Sequence, residues 1–255
     1  MDRIQIKNIQ LEFPVFDSGK ILSKEMLENL RDVPLGLMEC LYSDLSDGIV
    51  CGFNPTTYLK EKTDEQAETQ SIRLSRGIIK HNQKVYLIPG SGQLYCGENN
   101  GKEMRLLLRI GESDGQVTYE VSPLEATTDD NEYEIGRFKL KVGEKLNTEY
   151  KNLENIERGN CLNIVHARYA GYGNPTLSPK IIHAFVQTVL ADNPSYIEKL
   201  GAFLTNQRIN YYYLEAFFNN EGIELEEPDN PSDPLRPNQS LFDALKELAD
   251  NWGDA

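Results

Sequence analysis

The chain has 255 residues, 39 % of them hydrophobic and 26 % charged, with a formal net charge of −14. That is enough apolar material for a sizeable core, in one large domain or two smaller ones. So acidic a surface repels phosphate backbones and anionic lipid, and the densest basic stretch, residues 137–145, is interleaved with apolar and acidic residues, so neither nucleic acid nor a membrane surface is expected as a partner.

The chain opens on alternation. Ile4, Ile6, Ile9 and Leu11 lie among polar residues, which predicts a strand over residues 4–13 with a slip near Asn8. Pro14 and the turn residues FDSG break it. Ser23 is placed to cap a helix in which Met26, Leu27 and Leu30 share one face, and that face is expected to bury the helix against the core. Pro34 is expected to end this helix or start the next, with LGLMECLYSDL forming a second short helical turn.

From Asp47 to about Leu140 the pattern reads as β. DGIVCGF opens with a turn. SIRLSRG alternates, IIKHNQKVYLIPG reads as a hairpin around a polar turn, and MRLLLRI and QVTYEVS flank the turn residues GESDG as a second hairpin. YEIGRFKLKV alternates imperfectly, and CLNIVHARY, residues 161–169, is a further strand candidate. Residues 59–70, polar and charged, are expected as an exposed loop.

After Tyr169 the period changes from two to 3.6. Ser178 with Pro179 marks a helix start, and Ile181, Ile182, Phe185, Val186, Val189 and Leu190 form its apolar face. Two further amphipathic segments follow, around Leu200 and around Phe217, the second ending at Gly222 as the residue beyond the cap. Pro228, Pro231, Pro234 and Pro237 recur every third residue, so a polyproline helix would align them on one edge, as a stiff spacer or as a docking strip. Leu241, Leu245, Leu248 and Trp252 then share a face of a last helix, which either folds back on its own bundle or docks on a partner. The expected fold class is α+β: an antiparallel β-sandwich or barrel-like shell over residues 1–170, a small antiparallel helical bundle over 171–225, a proline-rich spacer over 226–238 and an amphipathic helix over 239–255.

Chemistry is sparse. The four cysteines form no CxxC pair, and a lone one in an apolar run such as IVCGF is expected to be a small core residue. His81, His166 and His183 are far apart in sequence, with no HxH or HExxH spacing, so no metal site is expected. GSGQLYCG at residues 90–97 lacks the Lys-Ser/Thr of a phosphate-binding loop and is expected as a turn between strands. The acidic run TTDDNEYE lacks the alternation of a calcium loop and reads as solvated. Three consecutive tyrosines at 211–213 suit either an interface or the bundle core. No catalytic constellation emerges and no cofactor is expected, which favours an assembly component over an enzyme. No segment approaches the roughly 18 apolar residues of a membrane span, and the first residues show no signal-peptide core. The expected compartment is the cytoplasm.

The pattern FxxGxxLSxxxL at residues 16–27 resembles the opening motif of the baseplate adaptor family of type VI secretion and phage-like contractile injection systems. Phe16, Gly19, Leu22 and Leu27 take the places of its aromatic, glycine and leucines, although the aromatic there is typically Trp. SDGIVCGF at 46–53 followed by LSRGIIKHNQKVYLI at 74–88 looks like the family's repeated strand-and-hairpin pattern. The segment at 173–191 is similar to its passage from β shell to helices. The resemblance implies a non-enzymatic structural adaptor, working as a homotrimer, whose β domain grips baseplate wedge proteins while helices build a three-fold stalk. It implies that Phe16, Gly19, Leu22 and Leu27 either contact the wedge or build the shell. The chain is shorter than secretion-system adaptors, which carry a further head domain, so a reduced, phage-like version is implied. Two other readings stand beside it. One is a β-sandwich module for a glycan or receptor, which exposed aromatics on one sheet face would favour. The other is a hydrolase, which a pocket joining His81 or His166 with two acidic residues would favour.

Overall fold

The computed structural model describes residue 19 and residues 23–60, 69–96, 101–111, 116–124, 131–141, 144–205, 208–225 and 236–253. The strand expected over 4–13, Phe16, Leu22, Asp129, Asp130 and most of the proline spacer lie outside them. The fold is α+β, with strands preceding most of the helices.

The first described element is an 18-residue helix, α1 (Lys24–Leu41), capped by Ser23, whose side chain accepts from the Met26 amide. It runs through Pro34 instead of stopping there. Proline removes one hydrogen bond, to the carbonyl four residues back. That carbonyl belongs to Leu30, itself 42 % exposed, where water is at hand to take the place of the lost bond.

Among the described residues, the β-rich part consists of three antiparallel three-stranded sheets. In the first, β4 (Gly77–His81) lies between β1 (Gly48–Gly52) and β5 (Lys84–Ile88). The β4–β5 turn is the one expected: His81 pairs with Lys84, and Asn82 and Gln83 both have positive φ, 49° and 65°, as a two-residue type I′ turn requires. Gly77 is where the first sheet meets Phe53, since a Cβ there would lie 2.3 Å from the Phe53 ring. In the second sheet β3 (Thr69–Leu74) lies between β2 (Pro55–Lys60) and the short β6 (Leu94–Tyr95). The loop expected over 59–70 is therefore partly strand, because Leu59, Lys60, Thr69 and Gln70 pair across the hairpin. Ile72 and Leu74 point inward, and Ser91 Oγ, in the glycine-rich segment, accepts from the Leu74 amide at 2.8 Å.

The third sheet sets β7 (Glu103–Ile110) between β8 (Val117–Pro123) and β9 (Glu132–Lys139). The imperfect alternation of β9 has a cause. Leu106 faces Gly136 and Leu107 faces Glu134, so Ile135 is an extra residue in the ladder and the inward side switches there. Glu134 is buried by this switch. Arg137 holds it at 2.5 and 3.1 Å, and desolvation raises the Glu134 pKa despite that partner and Arg105.

Residues 161–169 are not a strand. Cys161, Asn163 and Tyr169 make isolated bridges to Asn147, Arg137 and Ile49 respectively, three different partners. Asn163 Oδ1 accepts from the Val165 amide and turns the chain out of any ladder. Nearby, Asn152 caps a short helix, α2 (Leu153–Ile156).

Helix α3 (Pro179–Asp192) starts as expected, with Ser178 Oγ accepting from the Lys180 amide and Pro179 in the first turn. The second amphipathic segment is shorter than expected: a 3₁₀ turn, Pro194–Ile197, followed by α4 (Gly201–Thr205). Helix α5 (Tyr211–Asn220) closes at Gly222, whose φ of +80° only glycine adopts freely. The last helix, α6 (Arg236–Gly253), folds back on its own chain. Leu241, Phe242, Leu245, Leu248 and Trp252 are all buried, and the Trp252 ring stacks on Tyr196 at 4.6 Å. Trp252 Nε1 donates to Glu221 at 3.1 Å, and Asn238 Nδ2 donates to the Ala167 carbonyl at 3.1 Å. One hydrophobic cluster runs from Ile49 and Ile72 in the sheets through Phe185 of α3 to Trp252 of α6.

Candidate interaction surface

Helix α1 lies against β5 and is fixed at its C-terminal end. Lys80 of β4 is 6 % exposed, and its Nζ donates to the carbonyls of Tyr42, Ser43 and Leu45 at 3.0, 2.7 and 2.5 Å. A lysine ammonium has three donors, and here each goes to a carbonyl of the turn leaving α1. The Arg208 guanidinium lies 5.8 Å over the Tyr42 ring and Arg208 donates to the Val50 carbonyl, which ties the same turn to the segment before α5.

Beyond this base the helix is uncovered among the described residues. Every described side chain of α1 is exposed or half-buried. Leu27, Leu30, Leu37 and Leu41 are 52, 42, 61 and 67 % exposed. The expectation that Met26, Leu27 and Leu30 bury the helix is therefore corrected: that face points away from the core. Gly19 has φ +88° and open space around it, so it shapes a turn without packing against anything described.

Because the helix continues past Pro34, its apolar residues form a longer series than the sequence reading recognised. Leu27, Leu30, Pro34, Leu37 and Leu41 follow a 3-4-3-4 spacing, and Met26, Val33 and Cys40 each precede one of them on the adjoining ridge. This is the spacing of the seam in helices that pack on other helices, although Leu35, also exposed, lies off it. The spacing is present in the sequence, where Pro34 interrupts it.

A second surface lies on the outer face of the β2–β3–β6 sheet. Tyr58 pairs with Ser71 and Ser71 with Tyr95, so the three stand in one row across the sheet on the same face. Tyr95 is 59 % exposed, and the Arg73 guanidinium lies 5.2 Å over the Tyr58 ring.

A groove of about 540 Å³ opens between the 148–150 segment, the first turns of α3 and α4. Its lining includes the buried Ile182 and Phe203 and the polar Glu149, Lys180 and His183. Burial depresses the Lys180 pKa. Tyr150 also lines it, but its hydroxyl is engaged with the Leu162 carbonyl.

No chain in the known families, curated proteins or solved structures matches this one.

His81 is buried, with Nδ1 at 2.8 Å from the Tyr133 hydroxyl and Nε2 at 3.0 Å from Asn82, so both ring nitrogens are engaged. Burial raises the Tyr133 pKa above its ordinary value. Asp47 is close by, but it accepts from the Asn82 amide and serves the turn. His183 is exposed on α3. Among the described residues, no group of three or more His, Cys, Asp or Glu is placed to hold a metal ion, and no helix is long and apolar enough to cross a membrane. Cys96 and Cys161 are buried, while Cys40 and Cys51 are exposed. The expectation of a core position for Cys51 is corrected by the ladder: the β1–β4 register shifts between Ile49 and Cys51, so Ile49 enters the main core opposite Ile79, Val50 packs with Leu45 and Ala170, and Cys51 is left exposed opposite Ile78.

Proposed function

We propose that this chain is a non-enzymatic structural adaptor of a contractile, phage-tail-like or type VI secretion-like baseplate, working as a homotrimer that docks on wedge proteins. The observation that carries the reading is α1, an amphipathic helix anchored at one end by Lys80 with its apolar face uncovered among the described residues. A face of this kind marks an interaction site, and its first turn lies within the stretch that resembles the adaptor family's opening motif. Gly19 and Leu27 of that motif both lie away from the core, which supports a contact role over a shell-building one. Coexpression with wedge, sheath and tube proteins of a contractile system tests the proposal. A stable complex with a wedge protein is expected, and a chain that remains a monomer and binds no wedge protein would overturn it.

The Tyr58–Ser71–Tyr95 row favours a second reading, a glycan- or receptor-binding module. Aromatic rings two strands apart stand roughly 10 Å from each other, and their faces suit the apolar side of sugar rings. Glycan-array binding that is lost in Tyr95→Ala is the expected result on this reading; an array without binding removes it.

A further inference from the structure

We infer that the apolar seam of α1 is a self-association surface, on which copies of this chain pair their α1 helices side by side in parallel. The inference rests on the proposed role of α1 in assembly and names its partner: a second copy.

Three observations lead there. The spacing of Leu27, Leu30, Pro34, Leu37 and Leu41 over the length of α1 is that of a heptad seam, which fits another helix with the same repeat better than it fits a sheet or an extended peptide. The charges are sorted around it. Glu28, Asp32 and Glu39 lie on the far side of the helix, Lys24, Arg31 and Met38 border one edge, and Met26, Val33 and Cys40 border the other. The two cations have acidic neighbours on their own helix, Lys24 with Glu28 at 3.5 Å and Arg31 with Asp32 at 2.6 Å. In a parallel pair the edge with Lys24 and Arg31 meets the apolar edge of the other copy, whereas an antiparallel pair sets Arg31 against Arg31. The area is also sufficient. Four leucines exposed by 42 to 67 %, with Met26, Val33 and Cys40 beside them, present an apolar face on the order of 500 Å², large for a face that stays in water. Pairing two copies buries on the order of 1,000 Å², the lower bound for a specific interface.

A cysteine placed in the seam supplies a probe of geometry. In a parallel pair the two copies of Leu37 meet across the seam at the same height, whereas in an antiparallel pair position 37 faces the turn around Leu30. The experiment uses the full chain carrying Leu37→Cys with Cys40→Ser and Cys51→Ser, run by sedimentation velocity over a concentration series and treated with a mild external oxidant. The expected result is a dimer or higher oligomer that crosslinks through position 37. Adding Leu27→Glu and Leu30→Glu should weaken association at least about tenfold, as a charge buried in an apolar seam does, and abolish the crosslink with unchanged circular dichroism and thermal unfolding. Should that variant misfold, the crosslink at position 37 in its parent still decides. A monomer at every concentration, or an oligomer indifferent to the seam substitutions, would overturn the inference, the seam then being covered by the residues before Ser23 or by a different protein. The two proposals fail separately. A monomer that binds a wedge protein refutes self-association and the homotrimer and leaves the wedge-docking part of the adaptor reading standing. A seam-dependent oligomer that binds no wedge protein supports the inference and refutes the adaptor.

Discussion

Helices α1 and α6 are both 18 residues long and both amphipathic, yet they sit in opposite environments. Helix α6 buries Phe242, Leu245 and Trp252 in the main core, and Ala244 and Ala249 on the same side allow the backbone close to its neighbours. Polar hooks fix it at both ends, Asn238 to the Ala167 carbonyl and Trp252 to Glu221. Helix α1 has no aromatic residue along its length and one described anchor of comparable strength, Lys80 at its C-terminal turn. Amphipathicity states that a helix needs a cover. Aromatic bulk, small residues at the contact and specific polar hooks decide whether the cover comes from its own chain.

The comparison can be broken by matched truncations. Leu245→Ala in α6 should cost about 2–5 kcal/mol, the usual range for a fully buried leucine, measured by urea unfolding. Leu37→Ala in α1 should stay within about 0.5 kcal/mol under conditions where the chain is a monomer; an equal cost at both sites would mean that α1 is covered within the chain. Lys80→Met tests the base of α1. It leaves three carbonyls without their shared donor and should cost about 2 kcal/mol, as lost charge-assisted hydrogen bonds do, with amide exchange accelerating in residues 38–45 more than in α6.

Alkaline pH separates the two regions without mutation. Burial pushes Tyr119 up to about 12 and raises Tyr150 and Tyr169 as well, whereas α1 contains no tyrosine. An unfolded phenol ionises near 10. With the folded pKa raised, the unfolded state loses its proton first, so this stabilising contribution is whole below about pH 10 and declines as pH rises from about 10 toward 12. Thermal unfolding followed by circular dichroism should show the main body losing stability in that window. The smallest effect is on thiol reactivity. Cys40 and Cys51 should react with an aromatic disulfide reagent quickly, and Cys96, buried and pushed up to about 11, far more slowly; comparable rates at Cys40 and Cys96 would mean that the α1 ridge is shielded.

What could be read from the sequence was local chemistry. Ser178 followed by Pro179, Gly222 after α5 and the two polar residues between His81 and Lys84 each determine their own turn or cap within a few residues, and each took the expected form. The readings that failed depended on distant partners. Residues 161–169 are apolar enough for a strand, but Cys161, Asn163 and Tyr169 bridge to three separate parts of the chain. The in-chain docking of α6 depends on Tyr196 and Glu221, 56 and 31 residues before Trp252, and no periodicity reveals such pairs. The α1 seam was legible in spacing and obscured by Pro34. The row of Tyr58 and Tyr95 was not legible, because it exists only once β2 and β6 take their registers on Ser71 of β3.

The central claim is that α1 is an exposed assembly helix on an otherwise internally packed chain. Hydrogen–deuterium exchange tests it most directly, comparing residues 24–41 with residues 238–252 first in single chains and then in the assembled state. The account predicts that α1 exchanges far faster than α6 in single chains and becomes protected on assembly, while α6 is unchanged. Protection of α1 equal to that of α6 in single chains would contradict it.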